Sequence, residues 1–108
     1  MNIKELVVYL SGKISGRAAG EALTHFAFVE SVLESKNKIV FNPMGISKKD
    51  TWEGYMREGI AALVDADCVV MLDGWEKSRG ASLERIVAFE LGIPIYYEKE
   101  LQWDSLES

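Results

Sequence analysis

At 108 residues the chain is long enough for one core and too short for two. It is 48% hydrophobic, so a folded domain is expected, and its 12 basic and 17 acidic residues give a net charge of −5. That charge argues against a general nucleic-acid binder, which would carry a basic stripe, but leaves room for a small anion held by backbone dipoles. The first strand is expected at Glu5–Ser11 and the first helix at Arg17–Lys36, with Ala22, Phe26, Val29 and Leu33 on one face and Asn37 as its stop. A second strand, Lys38–Asn42, ends at Pro43, and a loop over Met44–Asp50 follows. The second helix, Thr51–Val64, spaces Trp52, Met56, Ile60 and Leu63 helically. A third strand covers Ala66–Leu72, a third helix Gly80–Leu91 with Gly92 as its stop, and a fourth strand Ile93–Tyr97.

Alternating strand and helix units with apolar strands imply an α/β domain, a parallel sheet covered on both faces in a three-layer flavodoxin- or Rossmann-like sandwich. The expected strand order is 2-1-3-4, with the switch point between strands one and three. The domain is expected to span residues 5–97. The acidic tail, 98–108, carries Leu101, Trp103 and Leu106 and is expected to add an edge strand or short helix, or to pack on another subunit. No apolar run reaches the roughly 18 residues of a membrane span, and Met1-Asn-Ile-Lys-Glu5 has no signal-peptide layout, so a cytoplasmic setting is expected. Cys68 sits in an apolar strand and reads as a buried structural thiol.

Two loops follow the strands that flank the switch point. Ser11-Gly-Lys-Ile-Ser-Gly16 supplies small residues before a helix, with Lys13 and Arg17 adding positive charge. It reads either as an anion-binding turn or as a tight strand-to-helix turn capped by Ser15. It is not a Walker loop, because the Gly-Lys-Ser/Thr ending is absent. The loop at 73–80 places Ser78 and the amides around Gly80 at another helix start, so two helix N-termini are expected to face one crevice. Glu84 follows, at helical spacing from Ala81, Val87, Ala88 and Leu91, and therefore on an apolar face. Such a carboxylate either escapes to solvent at the rim or has a partner and a task.

Tyr9-Leu-Ser-Gly-Lys-Ile-Ser-Gly16, Asn42-Pro43, Trp52-x-x-Tyr-Met-Arg57 and Gly74-Trp-Glu-x-Ser-x-Gly-Ala-x-Leu-Glu84 together resemble a small family within the nucleoside 2-deoxyribosyltransferase-like superfamily, which includes 2′-deoxynucleoside 5′-phosphate N-hydrolases. The spacing of Ser78, Gly80 and Glu84 is the most specific part. The resemblance implies nucleotide binding by Gly12, Ile14, Ser15, Gly16, Ser78 and Gly80, and cleavage or transfer of an N-glycosidic bond with Glu84 as nucleophile. It implies a nucleoside or nucleotide as partner and a homodimer or higher homo-oligomer; no cofactor is expected. Relatives often carry an aspartate in the second helix eight residues before the one opening strand three. Here that position is Gly59, and Asp73 is the expected substitute acid. Gly59 also supports a second reading, a nucleotide-binding module without turnover.

Tyr9 and Trp75 are expected to frame a base by their loop positions, whereas Trp52 reads more readily as core. Asn42 either orients a ligand or caps the Pro43 turn. Two glycine- and serine-bearing loops favour a 5′-monophosphate over a free nucleoside. His25 has no Cys or His companions at metal spacing, so no metal site is expected.

Overall fold

The computed structural model describes residues 6–100. Four strands, β1 (Val7–Ser11), β2 (Ile39–Phe41), β3 (Cys68–Met71) and β4 (Ile95–Tyr97), form one parallel sheet in the order β2-β1-β3-β4. Three helices flank it: α1 (Glu21–Glu34), α2 (Trp52–Leu63) and α3 (Arg79–Glu90), with short 3-10 turns at Pro43–Gly45, Trp75–Lys77 and Glu98–Glu100. This is the flavodoxin- or Rossmann-like α/β sandwich and strand order that the sequence implies. Glu5, and the Leu101, Trp103 and Leu106 of the tail, lie outside the described residues.

Strand alternation sorts the core into two layers. Val8 and Leu10 of β1, with Cys68 and Val70 of β3, face α1 and pack on Ala22, Phe26, Val29 and Leu33. These four are the helix positions that the 3.6-residue period selects, and all are buried. Tyr9, Val69 and Met71 point the other way, toward Leu63 of α2 and Ala81 and Ala88 of α3. Of the expected α2 stripe only Leu63 is fully enclosed; Trp52 and Met56 are half-buried because the first turns of α2 border an open cavity, and Ile60 is half-buried beside a separate surface depression. Cys68 is buried, and burial pushes its thiol up to about 11, as for an inert core thiol.

The helix stops fall where expected. Asn37 adopts the left-handed region (φ 65°) and Lys38 N–H closes back on the Leu33 carbonyl after α1; Gly92 (φ 71°) does the same service after α3, with Ile93 N–H bonded to the Ala88 carbonyl. The start of α1 differs. The helix begins at Glu21, four residues later than Arg17, after a loop that turns at Gly16 (φ 77°) and Gly20 (φ 80°). Gly20 is its N-cap and gives no side-chain hydrogen bond, so Ser15 does not cap it. Periodicity located the buried face of this helix; it carried no information on how far the glycine-bearing loop would run before the first turn.

Phe26 fills the α1 layer, wholly buried, and reaches under the loop after β1, where a Cβ on Gly12 would lie 3.1 Å from its ring. Phe26→Ala is expected to cost about 3–5 kcal/mol of unfolding free energy. Chemical denaturation checks this, and a loss below 1 kcal/mol would mean that the layer is not packed as described.

Candidate functional site

The chemistry converges over the C-terminal ends of β1 and β3. Period-two alternation puts Tyr9 and Ser11 on the same face of β1, beneath α3. Glu84, one and a half turns into α3, points down onto them. Tyr9 Oη donates to Glu84 Oε2 at 2.6 Å, and Ser11 Oγ donates to Glu84 Oε1 at 2.6 Å. Tyr9 and Ser11 are completely buried and Glu84 is 7% exposed. Burial pushes the Glu84 carboxyl above the usual carboxylate range, opposed by the hydrogen bonds from Ser11 and then Tyr9. Burial, followed by the neighbouring Glu84 charge and hydrogen bond, pushes the Tyr9 phenol far up, so it stays protonated and donates. Glu84 is thus no rim residue with its head in water.

Gly59 is what lets α2 lie against this pair. A Cβ built there would sit 2.7 Å from the Tyr9 hydroxyl and 3.0 Å from Glu84 Oε2. An aspartate at Gly59 would need the space that the Tyr9 phenol occupies. The glycine read from sequence as a missing acid is a close-approach position filled by Tyr9 and Glu84.

Above the carboxylate lies a cavity of about 720 Å³, within the range usual for small-molecule sites. Its walls have different chemistry. Pro43, Met44, Ile46, Trp52, Tyr55 and Met56 make an apolar and aromatic side. Lys13, Lys77 and Arg79 bring three cations, and among the described residues Glu84 is the one acidic residue in the lining. The Arg79 guanidinium lies 3.6 Å from the centroid of the Trp52 ring, joining the starts of α2 and α3.

Of the residues singled out in sequence, Tyr9, Gly12, Lys13, Ile14, Ser15, Ser78, Gly80 and Glu84 line this cavity. Several contribute differently from expectation. Tyr9 stacks on Phe41, with ring centroids 5.5 Å apart, and uses its hydroxyl on Glu84, so it forms the floor rather than a base platform. Ser78 Oγ accepts from Ala81 N–H at 3.1 Å and is the α3 N-cap. Gly12 is a packing glycine as well as a lining one, since a Cβ there would lie 3.0 Å from Leu72 Cβ.

Four do not line the cavity. Gly16 is exposed in the left-handed turn of the loop. Asn42 follows the capping alternative: its Oδ1 accepts from Met44 N–H and its Nδ2 donates to Glu30. Trp75 packs on Tyr97, ring centroids 5.9 Å apart, with the Arg85 guanidinium nearby. Asp73 is exposed, and its backbone N–H donates to Glu98 Oε1. Loop position placed Asp73 and Trp75 near the crevice, but a side chain's direction after a strand end depends on the turn that follows. Trp52, assigned to the core by periodicity, lines the wall.

Because α1 starts late, its N-terminus does not line the cavity, where the starts of α2 and α3 meet; the start of α1 borders a separate shallow depression with Arg17 and His25. A clamp below the site joins the two loops instead. Arg17 donates to the Lys13 carbonyl and to His25 Nδ1, His25 Nε2 meets Glu98 Oε1 at 2.9 Å, and that oxygen also accepts the Asp73 N–H. An arginine only donates, so His25 accepts at Nδ1 and donates from Nε2. Sequence reasoning missed Ser11, Lys77, Arg79 and this clamp. Alternation along β1 carried the signal for Ser11, as the inward neighbour of Tyr9; the clamp pairs residues 73 positions apart and left none. Among the described residues no group of three or more His, Cys, Asp or Glu could hold a metal ion, and no helix is long and apolar enough to cross a membrane.

Residues 6–97 match the model of a domain of unknown function, DUF4406, and the chain belongs to that family. No curated protein matches it. Among solved structures it is similar to a 2-deoxyribosyltransferase from the psychrotolerant bacterium Bacillus psychrosaccharolyticus, described as a biocatalyst for synthesis of antiviral and antitumoral nucleosides. The TM-score is 0.70 at 18% identity, over 94% of this chain and 90% of that one. The likeness is one of fold.

The close approach at Gly59 has a measurable consequence. Alanine is the better helix former by about 1 kcal/mol, yet Gly59→Ala is expected to destabilise the protein, since overpacking a rigid site costs about 1–3 kcal/mol. Adding Tyr9→Phe removes the nearest atom and should recover part of that loss in a double-mutant cycle. A Gly59→Ala protein more stable than the parent would show that α2 does not approach so closely.

Proposed function

We propose that this DUF4406 protein binds a nucleoside or nucleotide in the cavity over Glu84 and cleaves or transfers its N-glycosidic bond. One observation carries the reading: a buried carboxylate, held at both oxygens by hydroxyl donors, forms the floor of a cavity with an aromatic wall and a cationic wall. The shared fold with a 2-deoxyribosyltransferase supports it.

In this reading the base lies on the side of Met44, Trp52, Tyr55 and Met56, and the sugar sits over Glu84. A carboxylate oxygen attacks the anomeric carbon, the C–N bond breaks with its electron pair going to the base, and the base takes up a proton from solvent in the open cavity. Water then attacks the same carbon, returns the electron pair to Glu84 and gives its proton back to solvent, giving hydrolysis; a second base that loses its N–H proton in place of water gives transfer. Asp73 is no longer the favoured acid, since it does not line the cavity. The favoured substrate is the 5′-monophosphate. Its phosphate would meet Lys13, Lys77, Arg79 and the start of α3, a cluster a free nucleoside does not need. The reading includes self-association as a homodimer or higher oligomer, supported by the exposed Ile86 and Phe89 of α3 and Leu91 at its C-cap.

A second reading, binding without turnover, draws support from Gly59, where packing leaves no room for the aspartate that the family resemblance would lead one to expect. Incubation with a panel of deoxynucleosides and their 5′-monophosphates, with chromatography of free base, separates the two. Release by the parent protein and its loss in a folded Glu84→Gln variant is the expected result. Binding with no release would favour the second reading, and release undiminished in Glu84→Gln would remove Glu84 as nucleophile.

The phosphate assignment has its own test. Arg79→Gln is expected to lower kcat/KM for the monophosphate by roughly 10- to 100-fold, the worth of a charged hydrogen bond, with little change on the nucleoside. Equal losses on both would assign Arg79 to the Trp52 wall alone.

A further inference from the structure

We propose that Ser11 is a positioning residue for Glu84: its hydroxyl fixes Oε1 while Tyr9 fixes Oε2, so that the carboxylate meets the cavity as an anion in one orientation. The proposal deepens the glycosidic reading of the site and rests on it for its catalytic meaning. Its physical content, the hold of Ser11 on Glu84, can be measured without substrate.

Ser11 is the last residue of a central strand, paired with Met71 on β3. Its carbonyl accepts from Leu72 N–H at 2.8 Å, so its backbone cannot drift. Its side chain has no exposure to water, and its hydroxyl donates to Oε1 at 2.6 Å, a short distance expected for a hydroxyl–carboxylate bond. Tyr9, two residues earlier on the same face, is placed with equal rigidity. With one hydroxyl donating to each carboxyl oxygen, the arrangement favours the ionised form. Burial works against that form, and the Ser11 bond opposes this effect more strongly than the Tyr9 bond does.

The same bond serves both halves of the proposed reaction. While the carboxylate attacks, the donor keeps it charged although the side chain is buried. Once one oxygen carries the sugar, the other is an ester carbonyl, and a hydroxyl at the carboxyl group stabilises the negative charge that returns as water displaces it. The Ser11 proton is not transferred in either step. Other ionisable groups face this carboxylate or share its cavity: Tyr9 from β1, Lys13 from the following loop, Tyr55 from α2, and Lys77 and Arg79 at the start of α3. Gly59 of α2 brings none. All are retained when only Ser11 is changed, so a difference between parent and variant reports Ser11.

The test uses the full-length protein labelled with carboxyl-13C glutamate. The Glu84 resonance is assigned by its absence in Glu84→Gln and titrated in the parent, Ser11→Ala and Ser11→Cys. Removing a donor that favours the charged form must move the Glu84 midpoint to higher pH, with the weakly donating thiol in between. The acid limb of kcat/KM on a deoxynucleoside monophosphate should move up with it. A midpoint unchanged in a Ser11→Ala protein that still melts cooperatively overturns the proposal. Should Ser11→Ala fail to fold, Ser11→Cys, which nearly preserves volume, carries the same comparison. A midpoint that moves in a protein releasing no base from any substrate sinks the glycosidic reading and leaves the hold of Ser11 on Glu84 established.

Discussion

A carboxylate withdrawn from water must find hydrogen-bond donors, and the arrangement around Glu84 follows from that constraint. Its donors come from one strand at positions two apart, so β1 must present both Tyr9 and Ser11 to the same layer. The helix carrying Glu84 must cross directly over the end of that strand, and the helix beside it must have no side chain where it passes the pair. Gly59 meets the last condition. Among the described residues no buried side-chain nitrogen or oxygen lacks a hydrogen-bond partner, so this polar group sits in the core without an orphaned atom. Losing either donor would leave the charge only half-compensated, at about 1–3 kcal/mol for a buried unsatisfied group and more for a charged one.

The cavity above inherits its asymmetry from the order of the strands. With β1 and β3 adjacent, the loops that leave them diverge to opposite faces and open a crevice at the switch point. The loop after β2 and the start of α2 supply the apolar wall, while the loop after β1 and the start of α3 supply cations. Two devices hold the walls in place. Arg79 lies on Trp52 across the helix starts, and the Arg17, His25 and Glu98 clamp ties the first loop to the backbone after β3. Neither depends on a ligand.

Much of this was legible in the sequence because it rests on local periodicity. Alternating apolar strands and helices specified the sheet order, and Phe26, Val29 and Leu33 identified the buried face of α1. Glu84 stood out as a carboxylate on an apolar face. What periodicity does not encode is direction after an element ends. Asp73 and Trp75 leave β3 in a turn that aims them away from the cavity, and Gly16 and Gly20 delay α1 by a turn, so its N-terminus does not reach the site. Gly59 had two physical meanings, an absent acid or a close approach, and only the position of the Tyr9 hydroxyl distinguishes them. Ser11 was visible as a small residue in a loop motif, but its role depends on a partner 73 residues away.

The central claim is that Glu84 bonds to a sugar carbon, and trapping that bond tests it most directly. A 2-deoxy-2-fluoro-arabinosyl nucleoside 5′-monophosphate slows release of a glycosyl intermediate by withdrawing charge from the reacting carbon. Intact-protein mass spectrometry after incubation should show one added fluorosugar phosphate, and peptide mapping should place it on Glu84. Base release without an adduct, an adduct on another residue, or neither release nor adduct would contradict the account.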